Sequence, residues 1–120
     1  MDNNLRTPGK TTISPEVILT IARLTTLEIE GVSRLCQIRP RVNELFKRTQ
    51  CEGVHLEIED DRVYADIYVV LKNGVNVREV SRNIQNTVSQ AILKMVGMNV
   101  GRINIHIEDI DFLNEENKEA

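Results

Sequence analysis

Apolar residues at Val77, Val80, Ile84, Val88, Ala91, Ile92 and Met95, with a strand-like pattern on either side, restrict the possible folds more than any other feature of this chain. Steps of three and four along the run make one stripe of a helix that packs on a core. Arg78, Arg82, Asn83, Gln85, Asn86 and Gln90 fall on the polar side. Both ends are marked. Asn76 is placed to cap the start, with Glu79 three residues on as its reciprocal partner, and Gly97 sits where a left-handed residue ends a helix. The spacing therefore predicts a helix over 77–95.

Before it, Val54, Leu56 and Ile58 alternate with His55, Glu57 and Glu59, and Val63, Ala65, Ile67, Val69 and Leu71 alternate with Tyr64, Asp66, Tyr68 and Val70. Such a period of two describes strands with one buried face. Asp60-Asp61 between them is a two-residue hairpin turn. Asn73-Gly74 suggests a second hairpin, but the longer, doubly capped helical pattern that follows makes it a turn into the helix. After Gly97, Ile103, Ile105 and Ile107 alternate with Asn104, His106 and Glu108 as a last strand over 102–109. Strand, helix and strand then form a crossover unit whose two strands run parallel, in a sheet that is mixed overall.

Earlier in the chain, Ser14 caps a second helix, with Pro15 in its first position, Glu16 in its first turn and Ile13 packing against Ile18 across the cap. Val17, Ile18, Ile21, Ala22, Leu24 and Thr25 carry the stripe to about residue 28, and Gly31 is the expected stop. Lys10 to Ile13 reads as a short edge strand. Residues 1–9, polar and containing Pro8-Gly9, read as a flexible arm, and the acidic residues 113–120 as a disordered tail. Both helices need the same apolar cover. The expected fold is α+β: a two-layer sandwich with a mixed three- to four-stranded sheet and two main helices on one face, filling a single domain over 10–112.

Composition narrows function by exclusion. With 120 residues, 41% of them hydrophobic, there is room for one aliphatic core and no second domain. A net charge of -3 argues against a nucleic-acid binder that relies on a domain-wide positive field. The start, MDNNLRTPGK, has no apolar leader segment, and no stretch is long and apolar enough for a membrane span, so a cytoplasmic protein is expected. Cys36 and Cys51 are not in a CxxC arrangement and read as thiols rather than a disulfide staple.

Nothing local supplies a base to Ser14, Ser33, Ser81 or Ser89, so no catalytic residue is assigned. Gly97 to Gly101 precedes a strand rather than a helix and so lacks a phosphate-binding helix N-terminus. Two surfaces are candidates for docking. One is the sheet face away from the helices, where Tyr64, Tyr68, Val70 and His106 lie with His55, Glu57, Asp66, Asn104 and Glu108; it reads as a solvated face or as a surface for self-association or a partner. The other is a short helix opened by Pro40, with Arg41, Lys47 and Arg48 around Leu45 and Phe46; it reads as cover for a core edge or as a basic docking segment. A metal site at His55 and His106 lacks the spacing of a ligand motif. A small-ligand- or metal-binding accessory domain and a KH-like RNA-binding module remain as alternatives, the latter without its GXXG clamp and with few stacking aromatics.

Taken in order, several segments resemble the bacterial alkaline-shock-protein family of envelope stress response proteins, also called Gls-type general stress proteins. They are Ile13-Ser14-Pro15-Glu16-Val17-Ile18, Glu28-Ile29-Glu30-Gly31-Val32, Tyr68-Val69-Val70 with Gly74-Val75, Val80-Ser81-Arg82-Asn83-Ile84-Gln85 with Val88, Met95-Val96-Gly97-Met98, and residues 100–110 including Asn104-Ile105-His106-Ile107. The match spans 10–112, and its order and spacing are what make it specific. Between Cys36 and Cys51 the chain departs from the Gly-rich or Leu-rich insert common in relatives. The resemblance implies a small cytoplasmic, non-enzymatic protein without cofactor or small-molecule substrate. It also implies a protein partner or a homo-oligomer, with membrane contact, where it occurs, made indirectly through a separate anchor protein.

Overall fold

The structure, a computed structural model, describes residues 8–36 and 53–112. Its elements are α1 (Pro15–Leu27), β1 (Val32–Leu35), β2 (Val54–Glu59), β3 (Arg62–Lys72), α2 (Val77–Val96) and β4 (Asn99–Asp111). β4 pairs with β3 in parallel along its whole length, so β1 and β2, both antiparallel to β3, share its other edge end to end. They abut at Tyr68, whose N–H donates to the Gly53 carbonyl and whose carbonyl accepts from the Cys36 N–H, both at 2.8 Å. The sheet is mixed, and both helices cover one face of it as the apolar patterns require.

α2 follows its sequence marks closely. The Asn76 side chain accepts a hydrogen bond from the Glu79 N–H at 3.0 Å, and Gly97 closes the helix at φ 75°, its N–H donating to the Leu93 carbonyl. Val80, Ile84, Val88 and Ile92 are fully or almost fully buried, whereas Val77 and Met95, the ends of the predicted stripe, are exposed. The hairpin at Asp60-Asp61 has both residues at positive φ, 52° and 63°, the backbone that matches the twist of two antiparallel strands. Short side chains that tolerate this region make Asp acceptable there.

Four expectations need correction. Residues 10–13 form no strand; they are exposed coil ahead of the Ser14 cap, with no strand partner. α1 stops at Leu27, four residues before Gly31, because the Glu28 and Ile29 N–H groups turn back to the Thr25 and Thr26 carbonyls. Gly31 instead makes the entry to β1 at φ 102°. β1 itself is unpredicted: it has four residues, and a register shift between Val32 and Arg34 breaks its alternation. β4 is longer than expected at both ends, since register shifts opposite Val63/Tyr64 and Val69/Val70 insert Gly101 and Glu108 as bulges and change the phase of its pattern. The predicted arm, apart from Pro8 and Gly9, and the 113–120 tail lie outside the described residues, as does Cys51.

Gly31 carries two constraints, its positive φ and a close approach: a Cβ there would lie 2.8 Å from Val80 Cγ2. Gly74, at φ 91°, has open space around it. Gly31→Ala should therefore cost about 2–3 kcal/mol of stability and Gly74→Ala about 1 kcal/mol, from backbone strain alone. Urea unfolding followed by circular dichroism measures both; equal losses would remove the packing role of Gly31.

Candidate interaction face

The rear of the sheet, away from the helices, is built by alternation along β2 and β3 and by the parallel register of β4. Asp66 stands opposite Asn104 and His55, and Tyr68 opposite His106. These pairings place three polar groups around one carboxylate. Asp66 Oδ1 accepts from Asn104 Nδ2 at 3.0 Å and lies 2.9 Å from His106 Nε2. Burial alone pushes the Asp66 carboxyl up, but hydrogen bonds from His106 and Asn104, with the positive fields of His106 and His55, outweigh it and hold the carboxyl below its usual range. An ionised carboxylate can only accept, so His106 donates its Nε2 proton to Asp66. With the ring so oriented, it stacks on Tyr68, centroids 4.4 Å apart and planes 12° from parallel.

Tyr68 is shaped by the same group. Burial, then the negative charges of Asp66 and Glu108, raise the pKa of its phenol, so the hydroxyl stays protonated and can donate. Tyr64 lies further along β3 with its ring over Gly101, where a Cβ would come within 2.5 Å of Cε2. The Arg102 guanidinium sits 5.5 Å from the centre of that ring. His55 and Glu57 pair more loosely at 3.8 Å, near the solvent.

Of the four residues predicted for this face, Tyr68 and His106 are in direct contact, and Tyr64 is on the same face. Val70 points the same way but is only 2% exposed and offers nothing to a partner. It lies in register between Arg34 and Asp109, and beside it the Ser33 hydroxyl donates to Asp111 Oδ2 at 2.7 Å, a bond that reaches from β1 to β4 across β3. Asp66 and Asn104, placed on this face by alternation, turn out to organise it, and Arg102 is the contributor that sequence reasoning did not name. Gly101, a glycine within a strand pattern, was the available signal for the bulge and for the close approach of Tyr64. The basic segment Arg41, Leu45, Phe46, Lys47 and Arg48 lies outside the described residues. Among the described residues, no group of three or more His, Cys, Asp and Glu side chains is placed to hold a metal ion. None of the helices there is long and apolar enough to cross a membrane.

Residues 3–112 match the model of the alkaline shock protein 23 family, described as having a cell envelope-related function. Spy1535 of Streptococcus pyogenes is 40% identical over 103 residues, which is 85% of this chain and 79% of the relative. YqhY of Bacillus subtilis is 34% identical over 114 residues, 93% of this chain and 84% of the relative, and YloU of the same organism is 26% identical over 119 residues, 95% and 99%. Among solved structures, a MamM CTD covers 80% of this chain and 99% of its own at a TM-score of 0.50 and 11% identity, a likeness of fold.

The lowered Asp66 carboxyl makes a signed prediction. A group whose folded pKa lies below its ordinary 3.8 adds stability above that value and loses it as pH falls through the folded pKa. Asp66→Asn should melt lower than the parent at about pH 5, and the gap should close as pH drops below 3.8. Thermal melts across this range check it; a gap that stays constant or widens in acid would contradict the ion-paired role of Asp66.

Proposed function

The chain belongs to this alkaline-shock-protein family of cell envelope-related function, and from that premise we propose that it is a non-catalytic interaction module that docks a protein partner on the rear face of its sheet. One observation carries the reading: the Tyr68–His106 stack, held in place by Asp66 and partly open to solvent. Aromatic groups are enriched where proteins bind, and a pair already fixed in one geometry loses little side-chain freedom on docking. Tyr64 with Arg102, and the polar Asn104 and Glu108, surround it with the polar edge typical of a binding patch.

Several observations favour docking over chemistry. Ser14 is occupied as a helix cap, and the Ser33 hydroxyl is spent on a bond to Asp111 that ties β1 to β4. The closely bonded carboxylate–histidine pair on this face is turned into a structural stack, with the imidazole held against Tyr68 rather than against a nucleophile. Membrane association in this reading is indirect, the partner supplying the anchor and this chain supplying the surface.

Crosslinking in cells followed by mass spectrometry tests the proposal. The parent protein should give reproducible crosslinks to an envelope-associated protein from residues around Tyr68. Tyr68→Lys should lose them by about ten-fold or more, as truncation of a central aromatic anchor does, while retaining its circular dichroism and melting temperature. Unchanged crosslinks in the folded variant would overturn the assignment of this face.

A further inference from the structure

α1 carries two apolar stripes where one suffices to hold it on the core. Ile18, Ile21, Ala22 and Thr26 are buried against the rest of the domain. Val17 and Leu24, at 46% and 53% exposed, face outward together with Ile13 and Leu27. Positions 17, 20, 24 and 27 advance by three, four and three, which is the seam spacing of paired helices, and Ile13 lies just ahead of the Ser14 cap. Helices that are apolar around most of their circumference are ordinarily covered on both sides. Thr20, at the middle of the outer stripe, donates its hydroxyl to the Glu16 carbonyl at 2.9 Å, so covering it strands no polar group. Met95, 67% exposed at the end of α2, lines with Val17, Thr20, Ile21 and Leu24 a groove of about 600 Å³ beside the stripe.

We infer that a second copy of this chain covers the stripe, the two α1 helices running antiparallel about a two-fold axis near Thr20. Charge decides the occupant and the direction. Glu16 and Arg23 are the two charged residues of α1, seven positions apart and flanking the stripe on the same side. Antiparallel pairing sets such flanking positions of two helices opposite each other, so Glu16 of each copy meets Arg23 of the other. A two-fold interface must be complementary to itself, and this pattern is. The exposed parts of Ile13, Val17, Leu24, Leu27 and Met95 amount to roughly 400 Å² of apolar surface, the size of a functional patch and about half of what one partner brings to a standard interface. Polar groups around the stripe supply the remainder, and an interface of this extent forms a concentration-dependent dimer. The inference is independent of the rear-face reading, because the two surfaces lie on opposite layers.

Sedimentation of the full chain from micromolar to submillimolar concentration tests it. The average mass should rise from one chain toward two, and Leu24→Glu should hold it at one chain with unchanged circular dichroism. Glu16→Arg and Arg23→Glu should each weaken association about ten-fold, and the double exchange should recover most of that loss. Because Glu16→Arg also opposes the helix dipole, recovery in the double variant is the decisive reading: damage to the helix alone would persist there. A mass of one chain throughout, a dimer indifferent to Leu24→Glu, or a double variant no better than the single ones would each overturn the inference.

Discussion

Alternate side chains of β3, Val63, Ala65, Ile67, Val69 and Leu71, form one buried cluster with Val80, Ile84, Val88 and Ile92 of α2. Each of these aliphatic groups other than Ala65 contributes roughly 1.5–3 kcal/mol when fully buried, against a total stability of about 5–15 kcal/mol for a domain, so this contact is decisive for whether the chain folds. It also decides the topology. A parallel neighbour for β3 requires a crossover, and α2 is both that crossover and the cover over the strand it leaves. Once β4 is laid along one edge of β3, the single remaining edge has to serve β1 and β2, which fit only end to end. α1 then packs on α2 and over the β1/β2 half, while α2 lies over the β4 half.

What could be read in advance follows from how long each pattern persists. α2 runs for twenty residues with a cap at each end, and β2 and β3 alternate without interruption, so their limits were legible to within a residue or so. β1 and the ends of β4 were not, because bulges at Ser33, Gly101 and Glu108 insert one residue and invert the phase on which the reading depends. α1 failed differently. Its apolar residues nearly encircle it, and periodicity cannot say which side faces the sheet; Val17 and Leu24, read as core, turn outward.

The rear-face cluster was legible as a set but not as an arrangement. Alternation places Asp66, Tyr68 and His106 on one face, yet only the register of two strands separated by a whole helix puts His106 beside Tyr68 and within reach of Asp66. Val70 shows the converse. Facing outward by parity, it is nonetheless 2% exposed, in register between Arg34 of β1 and Asp109 of β4. Parity gives direction, and only the neighbours in the sheet give exposure.

The two proposed surfaces make different demands and are compatible with each other. The rear face is polar and aromatic, fixed by hydrogen bonds, and suited to recognising a particular partner; the α1 stripe is aliphatic and complementary to itself. A pair joined at α1 leaves both rear faces uncovered, because helices and rear face lie on opposite sides of the sheet. Where partners are held close together, as on a membrane surface, the second rear face of such a pair binds as an intramolecular event, and avidity exceeds the affinity of either face by about 10²–10⁴ without any new contact. Linkage runs the other way as well: clustered partners that engage both rear faces draw the equilibrium toward the pair. If both proposals hold, a modest dimer and a modest docking face, each weak alone, would combine into a response that depends on partner density, which a single tight surface does not provide.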